Sequence, residues 1–386
     1  MKILLTLHHY LNFHAGAPGA TWQLGQAYKK LGHDVEYYTF DRLPTKLPGM
    51  LESIAFPMLA ARHISQLVQQ QAVDIVDAST GDAWVWAKFL HQSGQRPLLV
   101  TRSHGLEQIA HLERLEEVKR GALQLSWKYP LYHGGWRLWE VATSMQRADV
   151  VLLLNQRDRA YAIDQMGISP DRAHVVHNGI PESFLNRSLT PLLETEPIRI
   201  AQIGSYIARK GIYYGNPALN TILKAHPTVQ VSFLGTGCPV EQVLEDFDAD
   251  VRDRIQVMPR FNHDTLPDLL STHHIKLFPT LSEGFSLALT EAMACGLAPV
   301  TTATPGPLEI ARDGENAIVV PARDTSAIVQ ALESLITNRA YLEQLRRNAY
   351  TTAQTYSWER IAQDNLTIYT AALQPAPNHQ PQPSTQ

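Results

Sequence analysis

Short apolar runs of strand length alternate with helix-length segments twice along this chain, and a proline-bearing stretch separates the two alternating halves. In the first half, Lys2–Thr6, Asp34–Phe40, Ile75–Asp77, Leu98–Thr101 and Val150–Leu154 have strand character. A loop containing Gly16 and Gly19 leads into a helix of about Thr21–Leu31 closed by Gly32, and Leu51–Gln71 has a helical pattern. Glu107 to Arg147 is long, helical and irregular. In the second half the strand candidates are Ile198–Ile203, Val229–Leu234, Ile255–Met258, Ile275–Pro279, Ala298–Thr301 and Ala317–Val320, with helices between them. Strand and helix repeated in this order close as a parallel sheet with helices on both faces. The expected fold class is therefore α/β, with two doubly wound, Rossmann-like halves.

A length of 386 residues fits two or three domains at ~150 residues each. Pro181–Pro197, polar and carrying three prolines, is the natural linker. The expected division is 1–185, then 197–355, then a terminal helix over 356–373. The segment 374–386, QPAPNHQPQPSTQ, has the composition of a disordered tail.

A formal net charge of −4 argues against a general nucleic-acid binder. The two cysteines, Cys238 and Cys295, show no metal spacing and suggest a reduced compartment. The opening MKILLTLHHYL is too short an apolar run for a signal peptide, and no window approaches the ~20 apolar residues of a membrane span. The expectation is a cytoplasmic protein.

The stretch Phe278–Gly296, FPTLSEGFSLALTEAMACG, says most about chemistry. A buried strand gives way to a loop with Glu283 and Gly284, then to an apolar helix from about Ser286 to Cys295. Glu291 is the only charged residue between Leu287 and Cys295. A helix apolar nearly all round is buried, so a carboxylate on it requires a partner. The free N–H groups at its N-terminus suit a phosphate. The competing reading is a core helix with a surface Glu at each end.

The spacing of Glu283 and Glu291 within EGFSLALTEAMACG resembles the Glu-x7-Glu signature of family 4 retaining glycosyltransferases, which have the GT-B fold: two Rossmann-like domains facing across a cleft. The resemblance is strongest over Gly204–Pro321. It implies that Glu283 contacts hydroxyls of the donor hexose and that Glu291 grips the ribose diol of the nucleotide. It also implies that the backbone of Gly284, Phe285, Ser286 and Leu287 faces the diphosphate and sugar, and that the terminal helix returns to brace the first domain.

Gly204–Gly211, GSYIARKG, corresponds to the family's cationic turn. Gly204, Lys210 and Gly211 match it, and Lys210 is expected to hold the donor diphosphate. Ser205 stands where the family usually has Arg, a departure that Arg209 offsets only if its side chain turns toward the donor. Gly235, in LGTG, matches the family's Gly-rich turn beside the nucleotide, and Pro259–Phe261 falls where the base sits. His104, in SHGLE after a strand, corresponds to a His that hydrogen-bonds the hexose. His177–Ile180, HNGI, resembles a structural turn ending the first domain.

Gly16 and Gly19 permit close backbone approach to a diphosphate. With Asp41 at the end of the second strand they also leave room for a nicotinamide-dependent oxidoreductase, although the spacing is GxxG and not GxGxxG. Asp246, Asp248 and Asp250, in DFDAD, have Asp-x-Asp spacing but follow a helical pattern, so they read as a solvated acidic face and no metal is implied. Trp127, Lys128, Tyr129, Tyr132, Trp136, Arg137 and Trp139 crowd one segment, suiting an acceptor wall, a peripheral contact with the inner face of a membrane, or simple packing.

The resemblance thus implies a retaining glycosyltransferase moving a hexose from a nucleotide diphosphate sugar to a saccharide or glycolipid acceptor. Catalysis would rest on His104, Glu283 and Lys210, with no cofactor. A catalytically silent GT-B homologue acting as a binding protein is the other class, favoured by Ser205 alone.

Overall fold

The structure is a computed structural model that describes residues 1–13, 16–43, 49–90, 96–121, 124–193 and 195–374. Two six-stranded sheets form, one from each half. The first contains β1 (Lys2–Leu7), β2 (Asp34–Thr39), β3 (Ile75–Ser79), β4 (Leu98–Arg102), β5 (Val150–Leu153) and β6 (Ala173–Val175), in the order β2-β1-β3-β4-β5-β6. The second contains β7 (Arg199–Ile203), β8 (Gln230–Leu234), β9 (Ile255–Met258), β10 (Ile275–Phe278), β11 (Ala298–Thr302) and β12 (Ile318–Val320), in the order β12-β11-β10-β7-β8-β9. Adjacent strands are parallel throughout.

Central parallel strands are covered on both faces, which explains their unbroken apolar runs. Successive side chains point to opposite faces. Ile3 and Leu5 of β1 join one core with Val100, Tyr28 and Tyr369, while Leu4 joins the other with Val76 and Leu99. In the second sheet Ile275 and Leu277 of β10 face one core, and Phe278 faces the other beside Leu289 and Met293.

The strands lie within a residue or two of the expected positions, and β6 is an addition. It has only three residues, Ala-His-Val, too short and too polar to register as an apolar run. The first helix departs more. It spans Gly16–Lys30, so Gly16 and Gly19 lie inside it and not in a loop before it. Pro18 sits in the first turn, where a missing N–H costs nothing, and the small residues around it extend the helix backward. The segment expected as a disordered tail lies, from Pro375 onward, outside the described residues.

The terminal helix, Trp358–Leu373, packs on the first sheet. Tyr369 donates to Asp77 Oδ2 at 2.7 Å, and Arg102 reaches the same oxygen at 2.7 Å and Tyr369 Oη at 2.9 Å. Both members of the Asp77–Arg102 ion pair are buried. Ile180, in the HNGI turn, donates its N–H to Tyr356 just before this helix, so that turn is structural here.

Candidate active site

β7 and β10 are neighbours from which the chain runs outward in opposite directions, to β8 and β9 on one side and to β11 and β12 on the other. The loops leaving such a pair diverge and open a crevice at the carboxyl ends of the strands. The turn after β7 carries Gly204–Gly211, and the turn after β10 carries Thr280–Ser286. They are tied together by Leu281 N–H donating to Arg209 O at 2.9 Å. Gly211, at φ +75°, is required here: a Cβ would stand 1.8 Å from Pro279 O.

Glu283 Oε1 is the focus of the crevice. Lys210 Nζ lies 2.5 Å from it, Arg209 Nη1 lies 3.2 Å from it, and Thr280 Oγ1 donates to it at 3.2 Å. Arg209 also donates to Ser282 O at 2.8 Å. Arg209 is therefore turned into the site, while Ser205 is exposed on the turn.

The helix Leu287–Ala294 follows directly. Ser286, at its N-terminus, is buried with no partner for Oγ. Glu291 is buried, and its Oε1 pairs with His263 Nε2 at 3.0 Å. The hydrogen bond that His263 donates to Glu291 raises its imidazole above the ordinary value against the opposing effect of burial. The sequence demanded a partner for Glu291 but did not name this one, 28 positions away.

His104 arrives from the other sheet, two residues beyond β4. Its Nε2 is inaccessible and has no hydrogen-bond partner. Burial, reinforced by Arg102, pushes the imidazole down to about 3. It is neutral at working pH and offers one donor and one acceptor nitrogen. The backbones of the two halves touch here. A Cβ on Gly284 would lie 2.9 Å from Gly105 Cα and 3.0 Å from His104 O. Asn155 Nδ2 donates to Gly284 O at 3.0 Å, and Glu113 of the first half accepts from Ser282 Oγ.

Phe285 and Gly235 both pack against aromatic rings. Phe285 is buried and stacks between His177 and Tyr356, with ring centroids 5.3 and 5.9 Å away. Gly235 backs onto the Phe261 ring, 2.7 Å from where its Cβ would be. Asp41 accepts from Leu11 N–H at 2.8 Å and Thr39 Oγ1 at 2.9 Å, a loop role that removes the ribose-binding acid from the dinucleotide reading. Asp246 bonds Tyr206 and Asn216, and Asp248 bonds Lys224 and Asn220. Among the described residues no three His, Cys, Asp or Glu side chains gather as a metal site.

The aromatic segment is split in use. Arg137 is buried, donating to Thr80 Oγ1 at 2.7 Å and lying 3.4 Å from Glu140, so it does not present a cation to a membrane. Tyr129 is buried, whereas Trp127 is 77% exposed. Trp84 and Trp136 both donate to Glu140 Oε1, and their rings cluster with Trp139.

Residues 16–184 match the family model of Glycosyltransferase Family 4, and residues 190–352 match that of Glycosyl transferases group 1. The chain belongs to the group 1, family 4 glycosyltransferases. Over 217 residues the chain is 25% identical to an uncharacterised glycosyltransferase of Methanocaldococcus jannaschii, covering 53% of this chain and 55% of the relative. It spans about half the length of the first curated relatives it matches. Sucrose-phosphate synthase from Thermosynechococcus elongatus superposes with a TM-score of 0.75 at 17% identity, over 96% of this chain and 99% of that one. Anabaena HepE in complex with UDP-glucose superposes with a TM-score of 0.68 at 16% identity, over 96% and 100%. These glycosyltransferase neighbours and the two parallel sheets establish the GT-B fold.

Proposed function

We propose that this glycosyltransferase moves a hexose from a nucleotide diphosphate sugar to a hydroxyl acceptor with retention of anomeric configuration and without a metal. The observation that carries the reading is the convergence of Lys210 and Arg209 on Glu283, beside a helix N-terminus that no side chain caps and against His104–Gly105. Cations and free N–H groups held where charge develops on a leaving diphosphate are the means by which such a site lowers a barrier.

Each residue then has a chemical task. Lys210, Arg209 and the N–H groups at the start of helix Leu287–Ala294 receive the diphosphate. Glu283 and the neutral His104 Nε2 hold hexose hydroxyls. Glu291, with one oxygen already fixed by His263, uses the other on the ribose diol. In front-face attack the bond from the anomeric carbon to phosphate oxygen breaks, and the bond to the acceptor oxygen forms on the same face. The departing phosphate oxygen takes the acceptor's proton, so no protein nucleophile is needed.

UDP-glucose is the first donor to try, because the HepE neighbour holds it. Proton NMR of product formed from a donor of known anomer, in buffer containing EDTA, is expected to show the donor's configuration kept. An inverted product removes the retaining assignment. Turnover that stops in EDTA and returns with magnesium or manganese removes metal independence.

The acceptor is assigned to the first half, where the Trp84, Trp136 and Trp139 cluster offers rings for a saccharide. Phe89, Trp127 and Leu131 are exposed nearby in the chain and support a glycolipid acceptor met at a membrane surface in a cytoplasmic setting. No helix among the described residues is long and apolar enough to cross a membrane. Failure to sediment with anionic vesicles at low salt would leave a soluble saccharide acceptor. Ser205 favours a silent binding homologue, but it is the single feature that does.

A further inference from the structure

Lys276 occupies the middle of β10, between Ile275 and Leu277, and is 0% exposed. Its Nζ has no hydrogen-bond partner. That nitrogen lies 5.3 Å from the centroid of the Phe278 ring, and Lys210 Nζ lies 5.3 Å from the same centroid. The buried amine and the cation on Glu283 therefore share one ring at the carboxyl end of β10. On the two neighbouring strands, the residues in register with Lys276 are Ala201 and Pro299, which offer it no side-chain partner.

An ammonium buried without a partner is among the costliest arrangements in a protein interior. Burial, with Lys210 adding to it, pushes Lys276 well below the ordinary lysine range, while Glu291 and Glu283 act the other way. The charged groups facing this position are Lys210 from the turn after β7, Glu283 from the turn after β10, and Glu291 from the helix, with His263 bonded to Glu291, and the buried His273 three residues earlier in the chain. Lys210 thus stands with two carboxylates, one of which, Glu283, also holds Arg209. Lys210 and Arg209 are both already engaged with Glu283. A nucleotide diphosphate sugar entering this site adds the negative charge of its diphosphate, which Lys210 and Arg209 must meet while each also neutralises Glu283.

We propose that Lys276 is a buried counter-cation of the donor diphosphate, uncharged in the empty enzyme and protonated from solvent as the diphosphate seats above β10. The inference rests on the donor reading above and deepens it. The amine takes one proton from the buffer and becomes an ammonium, and no bond in the donor changes. Its consequence is a linkage. Binding takes up a proton, so diphosphate affinity falls as pH rises from the lysine's value in the free enzyme to its value in the complex.

The test is titration calorimetry of uridine, guanosine and adenosine diphosphates into the full chain and into Lys276→Met. It is run at pH 8 in two buffers of different ionisation enthalpy. The wild type is expected to take up about one proton more than the Met variant, which should bind the diphosphate about tenfold more weakly or worse, equivalent to one pKa unit of coupling. The thermal midpoint of the unliganded Met variant should equal or exceed that of the wild type, because an isosteric apolar side chain replaces a buried unpaired amine. Equal proton counts and affinities in the two proteins overturn the role of Lys276 and leave the donor reading standing. Absence of proton uptake by the wild type overturns it as well, whether or not the variant folds. No binding of any of the three diphosphates to the wild type overturns the donor reading, and the inference with it.

Discussion

Lys210→Ala is expected to lower donor turnover about a hundredfold or more while the chain folds normally. Removing one preorganised charge from developing transition-state charge typically costs ~10²-fold or more. Lys210 is well placed to have that effect, because its ammonium is held 2.5 Å from Glu283 and 5.3 Å from the Phe278 ring centroid. Arg209 remains on Glu283 in the variant, at 3.2 Å, so the carboxylate keeps a partner and the turn keeps its Leu281–Arg209 hydrogen bond. The effect should therefore appear in kcat and kcat/KM and not in the unfolding midpoint. Unchanged donor kinetics would take Lys210 out of the site.

The same assay separates the two carboxylates. Glu291→Ala should weaken binding of the free nucleoside diphosphate, since its proposed contact is the ribose. Glu283→Ala should weaken the nucleotide sugar more than the free nucleotide. Equal losses for both ligands in both variants would contradict the division of roles between hexose and ribose.

The legible part of this protein follows from burial. Parallel strands covered on both faces carry continuous apolar residues, so Val150–Leu153 and Ile275–Phe278 stood out within a residue of their observed limits. The Gly16 helix did not, because Gly, Pro and Ala at an N-terminus look like a loop until tertiary packing selects the helical turn. In the site, local segments were readable and their junctions were not. Glu283 and Lys210 belong to two separate motifs 73 positions apart, and their ion pair exists because β7 and β10 are neighbours. The contact of Gly284 with Gly105 depends on how the halves pack, which no local pattern encodes. His263 was invisible for the same reason. Lys276 was hidden differently. A single lysine in an apolar run suggests an exposed position or a snorkelling end, and only the three-dimensional arrangement shows a side chain with nowhere to reach.

Asp77→Ala should destabilise the first half by ~3–5 kcal/mol, the usual cost of leaving one member of a buried ion pair alone. Asp77 is the shared acceptor of a closed group: Arg102 Nε and Nη2 approach its carboxylate at 3.2 and 2.7 Å, and Tyr369 Oη donates to it at 2.7 Å. Without it, a buried guanidinium keeps only the Tyr369 oxygen, at 2.9 Å, among the bonds of this group. Tyr28 reaches Tyr369 at 3.2 Å, so the disturbance extends to the first helix as well as the last. A loss of this size corresponds to a fall of roughly 10 °C in the midpoint of that half. Tyr369→Phe, which deletes one hydroxyl and leaves the ion pair, should cost only ~1 kcal/mol. The functional consequence runs through Arg102, which ends β4 two residues before His104. Loosening it frees the loop that carries His104 and Gly105 against Gly284. Calorimetric melting of both variants, with donor binding measured below the transition, distinguishes the outcomes. If Asp77→Ala melts within a degree or two of wild type and binds donor equally well, the buried group neither anchors the terminal helix nor positions His104.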